Sequence, residues 1–209
     1  VRLLRSVLKE HRISAGDDQA PCTALALLAT LVAAAAEFGA RRLASRPARP
    51  SDLVSGPSHD EPWHGEVKEW ARRLGRLRLG EAQREAILEM RAAQMARLRV
   101  VCEERCRLNE KARSLLGASS DPPQALSEHL RSVWDRVKSN VRLERRIAAD
   151  GMRRLLMDIL DPVRGALLLL EAHPGGVDPI KVADALAAAD RQRGGWATDA
   201  MSSAADSTR

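Results

Sequence analysis

The sequence has very few aromatic residues: they make up 2% of 209 residues, with no tyrosine and a single phenylalanine, Phe38. β-Sandwiches and nucleotide pockets draw heavily on aromatic and β-branched side chains, so this composition disfavours both. Alanine and leucine supply much of the 44% of residues that are hydrophobic. Both residues favour the α-helix, and the composition therefore predicts a helical protein.

Cysteine is also scarce. Cys22, Cys102 and Cys106 form an odd set with no disulfide-like spacing, which favours a reducing compartment. Cys102 and Cys106 would share one helix face, but two thiolates without a nearby histidine do not make a zinc site. The five histidines show no ligand spacing either. We therefore predict no metal site and no cofactor.

The sequence contains none of the common catalytic motifs, GxxxxGK[ST], GxGxxG after a strand, HExxH or GxSxG. Asp158 and Asp161 are the nearest approach to a carboxylate pair, but Asp161 is better explained as a helix cap. Catalysis needs a nucleophile, a base or a metal at defined spacing. We expect a protein that is not an enzyme, and no catalytic residue is assigned.

The chain has a formal net charge of +6, and arginine greatly outnumbers lysine. Arginine suits phosphate and carboxylate recognition. Many of the basic residues alternate with glutamates, as at 103–105, which is typical of a solvated face with ion pairs rather than of a nucleic-acid surface. Nucleic-acid binding remains an alternative, with candidate phosphate contacts at Arg72, Arg73, Arg76, Arg78, Arg145, Arg146, Arg153 and Arg154.

The apolar spacing divides the chain into four parts. We predict N-terminal helices at 1–44, a flexible Pro/Ser/Gly-rich linker at 45–62, a helical bundle domain at 63–193 and a disordered tail at 194–209. The apolar run 22–36 is shorter than the roughly 20 residues that cross a bilayer. It is apolar nearly all round, so we expect a buried helix and no membrane partner.

The longest predicted helix runs from Glu81 to about Leu116, without proline or internal glycine. Its apolar residues recur at spacings of three and four, but Arg91 and Arg105 interrupt any strict heptad, which indicates an amphipathic bundle helix or an imperfect coiled coil. Asp-Pro pairs at 161–162 and 178–179 each predict a capped helix start. The fold class is therefore all-α: an irregular helical bundle with one long amphipathic helix and a C-terminal pair of short helices.

Tryptophan and glycine positions give two further expectations. Trp63, Trp70 and Trp134 fall on or near apolar stripes, so we expect core anchors rather than base-stacking platforms. Gly151 interrupts a predicted helix that begins after Pro123, and we expect a bend there.

Three stretches occur in an order and spacing that resembles a known family. They are residues 79–84 leading into 99–109, then 137–144, then 159–166 running to 171–174. Together they are similar to the region downstream of the zipper in green-algal basic leucine-zipper (bZIP) transcription regulators. The resemblance covers roughly residues 66–188, and this chain lacks the basic region and the zipper.

The resemblance implies an all-helical, non-enzymatic protein-interaction module in transcription regulation, located in the nucleus, with protein partners bound through helix packing and homo-oligomers as an option. The arginine-rich amphipathic stretch 1–12 supports an alternative, a structural subunit of an organelle assembly in the mitochondrion or chloroplast. A first residue of valine leaves open whether the chain is a fragment or a processed product.

Overall fold

The computed structural model describes residues 1–15, 20–46, 64–117 and 123–191. All regular structure in these ranges is helical: α1 Arg2–Glu10, α2 Cys22–Ser45, α3 His64–Arg76, α4 Glu81–Gly117, α5 Pro123–Arg153, α6 Pro162–Ala172 and α7 at 179–191. A π-helical segment, Arg154–Ile159, follows α5 directly. The predicted all-α class is confirmed, with one long helix and a short C-terminal pair.

Two aspartates begin the C-terminal helices, as the Asp-Pro pairs predict. Asp161 Oδ1 accepts hydrogen bonds from the backbone N–H groups of Val163 and Arg164 at 3.1 and 3.0 Å. Asp178 Oδ1 does the same for Ile180 and Lys181 at 3.0 and 3.2 Å. Each cap satisfies N–H groups that have no partner inside the helix.

The main hydrophobic core joins the two ends of the chain. Its fully buried members come from α2, the turn before α4, α4, the π-helical segment, α6 and α7, and include Leu28, Ile87, Leu155, Leu156, Leu168 and Leu186. Side chains from both sides of the predicted 45–62 linker thus share one core. Most of that linker and all of the predicted 194–209 tail lie outside the described residues, so both stay predictions.

Helix α2 buries one face and exposes the other. Leu28, Val32 and Ala36, four residues apart, are at most 2% exposed, whereas Leu27 and Phe38 are 47% and 68% exposed. The expectation that an all-round apolar helix is buried all round is therefore wrong, because α5 and α6 cover a single side of it. At 24 residues, α2 is also long and apolar enough to cross a bilayer by length and composition, with 22% of its most apolar window buried.

Helices α4 and α5 pack closely where Gln94 meets Gly151. Gln94 is 4% exposed and donates from Nε2 to the Ile147 carbonyl at 3.0 Å. A Cβ atom on Gly151 would overlap the Gln94 carboxamide. Helix α5 continues through Gly151, where the glycine provides room for the neighbouring helix, and the expected bend stays a prediction. The helix widens into the π-helical segment only after Arg153.

A buried polar layer also joins α4 and α5, nearer the C-terminal end of α4. Arg105 is 3% exposed, donates from Nε to Asn140 Oδ1 at 2.9 Å and forms an ion pair with Glu144. Asn140 in turn donates to the Val101 carbonyl at 2.8 Å. Arg105 therefore lies within the α4 seam, where Glu144 of α5 compensates its charge and Asn140 of α5 accepts a hydrogen bond from it.

Candidate partner-binding surface

The first half of α5 extends past α2 and packs on α4. Helix α2 runs antiparallel to α5, because Glu37 pairs with Arg153 and the Arg46 carbonyl accepts a hydrogen bond from Arg145. The described part of α2 ends at Arg46. Beyond that point α4 and α5 form an antiparallel hairpin with a small apolar cluster of its own, which consists of Leu108, Val133 and Val137 with Ala112 and Leu115 packed against it.

Trp134 lies on the outside of this hairpin. It is 43% exposed, so the expectation that it is a core anchor is wrong. Consecutive side chains of a helix point about 100° apart. Val133 therefore lies in the seam between α4 and α5, where it is 4% exposed, and Trp134 points away from it. Beside Trp134 lies a shallow, open cavity of about 560 Å³ lined by Leu126, Ser127, Leu130, Arg131, Trp134, Asp135 and Lys138.

Four cations follow one another along the same side of α5. Arg131, Lys138, Arg142 and Arg146 are exposed and are separated by seven, four and four residues, which places them on one helix face. Lys138 pairs with Asp135 at 3.1 Å. The three arginine side chains have no ion pair or hydrogen bond within the described ranges. We call these four cations, together with Trp134, the α5 outer face.

Four of the eight predicted phosphate contacts are already paired with acids. Arg72 and Arg73 contact Glu69 at 2.5 and 3.0 Å, and Arg76 contacts Glu171 at 3.1 Å. Arg153 forms a two-pronged pair with Glu37, at 2.7 Å from Nε and 3.3 Å from Nη2. Each pair cancels charge that a phosphate would otherwise meet, so these residues do not form one cationic surface.

The other four predicted contacts are spread over the molecule. Arg78 occupies a turn at φ 48°, where its carbonyl accepts a hydrogen bond from Arg164. Arg145 donates to the Arg46 carbonyl, and Arg154 is exposed at the start of the π-helical segment. Of the eight, Arg146 belongs to the α5 outer face. Sequence reasoning missed Arg131, Lys138 and Arg142, although their helical spacing was the signal that would have found them.

A second cleft, of about 540 Å³, lies between α3 and the turn before α7. The Arg73 guanidinium stacks over the Trp70 ring at 5.3 Å and donates to the Glu171 carbonyl at 2.8 Å. Trp70 is 8% exposed, which confirms it as a core residue. Trp63 lies outside the described residues. Because the cations of this cleft are held by neighbouring groups, the cleft has a structural explanation.

The cysteines and histidines form no metal centre in the described ranges, where no group of three or more His, Cys, Asp or Glu side chains converges. Cys22, Cys102 and Cys106 are free thiols. Burial, and secondarily the charge of Glu144, raises the pKa of Cys102. Its thiol is therefore less nucleophilic at neutral pH than an ordinary cysteine.

Polar residues from the three bZIP-like stretches contact one another. Gln83 donates to Asp161 Oδ2 at 3.2 Å, which joins the first stretch to the third, and Arg105 bonds Asn140 and Glu144, which joins the first to the second. Interhelical packing accounts for all five residues. Comparison of the chain with family models, curated proteins and solved structures finds no match. The resemblance stays a prediction.

Proposed function

We propose that this protein is a non-enzymatic helical module that binds protein partners in transcriptional control through the α5 outer face. The observation that supports this most directly is the hairpin of α4 and α5. It extends past α2 and presents Trp134 beside unpaired arginines. The bZIP-like stretches are the basis for the transcriptional context and for the proposed nuclear location.

The composition of the face suits a protein interface. Tryptophan and arginine are enriched among the residues that dominate binding energy, and partly buried leucines of an adjacent cavity add apolar area. Leu126 and Leu130 line that cavity next to Trp134. The exposed part of the Trp134 indole adds nothing to the stability of the isolated fold, whereas a partner that covers it gains hydrophobic contact.

Nucleic-acid binding is the weaker alternative. The arginines of α3 and Arg153 are neutralised by acids, whereas Arg131, Arg142 and Arg146 on α5 have no acid partner in the described ranges. If duplex DNA bound this row, log affinity would fall against log salt with a slope of about 0.9 for each phosphate neutralised. Weak binding or a flat salt response would exclude this alternative.

An affinity capture from algal nuclear extract tests the proposal. The chain should recover transcription regulators, and Trp134→Ala should lose most of them. Phe38→Ala is the matched control, since Phe38 is aromatic and 68% exposed on α2, away from the hairpin. Recovery of mitochondrial, chloroplast or ribosomal subunits alone would contradict the transcriptional role and favour an organelle assembly. Equal recovery by both variants would contradict the assignment of the face.

A further inference from the structure

We infer that the α5 outer face binds an acidic amphipathic helix of a partner protein. In this arrangement an apolar side chain enters the cavity beside Trp134, and carboxylates pair with Arg131, Arg142 and Arg146. The inference rests on the proposed function and adds the chemistry of the partner to it.

The first argument is charge complementarity. The cations extend from Arg131 to Arg146, about 22 Å along the helix axis at 1.5 Å per residue. Lys138, Arg142 and Arg146 are one turn apart. A partner helix with glutamates at intervals of three or four residues repeats the same spacing, so several carboxylates can meet cations at once. Arginine pairs with carboxylate through two parallel hydrogen bonds, which fixes the alignment.

The second argument distinguishes a peptide from a nucleic acid. The cavity at the start of the row is lined by Leu126, Leu130 and the indole of Trp134, an apolar anchor site for a leucine or phenylalanine. Asp135 in the same lining is paired with Lys138, so the two together add no net charge there. A helical peptide can place an apolar side chain in the cavity and carboxylates on the arginines, whereas a phosphate backbone has no apolar group for the cavity.

The third argument is that the arginines are available. In the described part of the chain, Asp135 pairs with Lys138 at 3.1 Å and Glu144 pairs with buried Arg105, while Glu128, three residues before Arg131, forms no ion pair with it. Glu104 pairs with Arg136 at 2.5 Å on the other flank of α5. Arg131, Arg142 and Arg146 therefore need no internal pair to be broken before they bind a carboxylate.

Fluorescence anisotropy with the full chain tests the inference. The probe is a labelled helical peptide of about 20 residues, long enough to cover the row, with glutamate on one face and leucine on the other. The double variant Arg142→Glu/Arg146→Glu should weaken binding by about tenfold or more, and so should Trp134→Ala. The matched control Arg2→Glu/Arg5→Glu reverses two exposed arginines on α1 and should leave affinity unchanged. Circular dichroism verifies that each variant is folded.

A charge swap makes the test specific. A peptide with lysine in place of glutamate should bind the Arg142→Glu/Arg146→Glu variant better than it binds the unaltered chain. Failure of this rescue, or equal loss with the α1 control, would overturn the inference. Binding of a 5′-labelled DNA duplex more tightly than the acidic peptide would also overturn it.

The inference and the proposed function fail separately. If nuclear partners are captured through Trp134 while the acidic peptide does not bind, the partner chemistry is wrong and the interaction surface stands. If neither the nuclear partners nor the peptide depends on Trp134, both are wrong.

Discussion

Replacing Arg105 with methionine tests whether the buried polar layer stabilises the hairpin that presents the α5 outer face. Methionine keeps an unbranched apolar stem and removes the charged guanidinium group. Asn140 Oδ1 then loses its donor in a site where the residue is 7% exposed. An unsatisfied buried acceptor costs about 1–3 kcal/mol. The side chain of Glu144 is 27% exposed and can rehydrate, so its loss of partner adds little.

We therefore expect Arg105→Met to lower the free energy of unfolding by about 2 kcal/mol. In a chain of this length that corresponds to a fall in Tm of roughly 4–8 °C. Urea unfolding followed by circular dichroism measures the change. The matched control is Arg99→Met on the same helix, where the side chain is 81% exposed and pairs with Glu103, and the expected change is below about 0.5 kcal/mol.

A second variant separates pairing from simple volume loss. Arg105→Met combined with Asn140→Leu replaces donor and acceptor with apolar groups, and we expect it to recover most of the lost free energy of unfolding. Two results would refute the reasoning: an Arg105→Met chain that unfolds at the same urea concentration as Arg99→Met, or a double variant less stable than the single one.

Three further predictions use the same unfolding assay. Gly151→Ala should cost about 1–3 kcal/mol by overpacking Gln94, and the cost should shrink in a Gln94→Ala background; equal costs in both backgrounds would refute the contact. Burial by itself raises the pKa of Asp161, but hydrogen bonds from Arg164 and Gln83 lower it on balance below 3.8. Ionised Asp161 therefore stabilises the fold above that pH, and this contribution is lost as the pH falls through the lowered pKa. In the Asp161→Asn variant, the free energy of unfolding should fall less steeply over this acid range. The hydrogen bond from Arg153 lowers the pKa of Glu37 below 4.5. Glu37→Gln should therefore reduce stability at neutral pH, less in high salt, and have no effect at a pH below the lowered pKa.

The helices could be predicted from the sequence because their signals are local. The long helix was expected from Glu81 to about Leu116 and runs from Glu81 to Gly117. Asp161 and Asp178 cap the helices that their Asp-Pro pairs predict. Caps and apolar spacing depend on residues a few positions apart, so no distant contact is needed to interpret them.

The candidate surface could be predicted only in part. Arg146 was among the expected cations, but Arg72, Arg73 and Arg76 were expected to be available and are paired. For Arg72 and Arg73 one partner is local, because Glu69 lies three and four residues away on the same helix. Arg73 and Arg76 contact Glu171, which is 98 and 95 residues away in sequence. Nothing local to an arginine indicates an acid at that distance. Whether such an arginine is available for a ligand therefore depends on how the helices pack.

By itself, the sequence determined the helical class and the approximate bounds of the helices, because caps, helix breakers and apolar spacing depend on residues within one or two turns. Tertiary structure alone decided where certain residues lie within the amphipathic pattern. Trp134 was expected in the core and is half exposed, and Arg105 was expected to interrupt the seam and is buried within it. The reason is that burial depends on which residues of other helices lie nearby. Inside the hairpin, Asn140 accepts a hydrogen bond from Arg105 and Glu144 neutralises its charge, whereas no described helix covers Trp134.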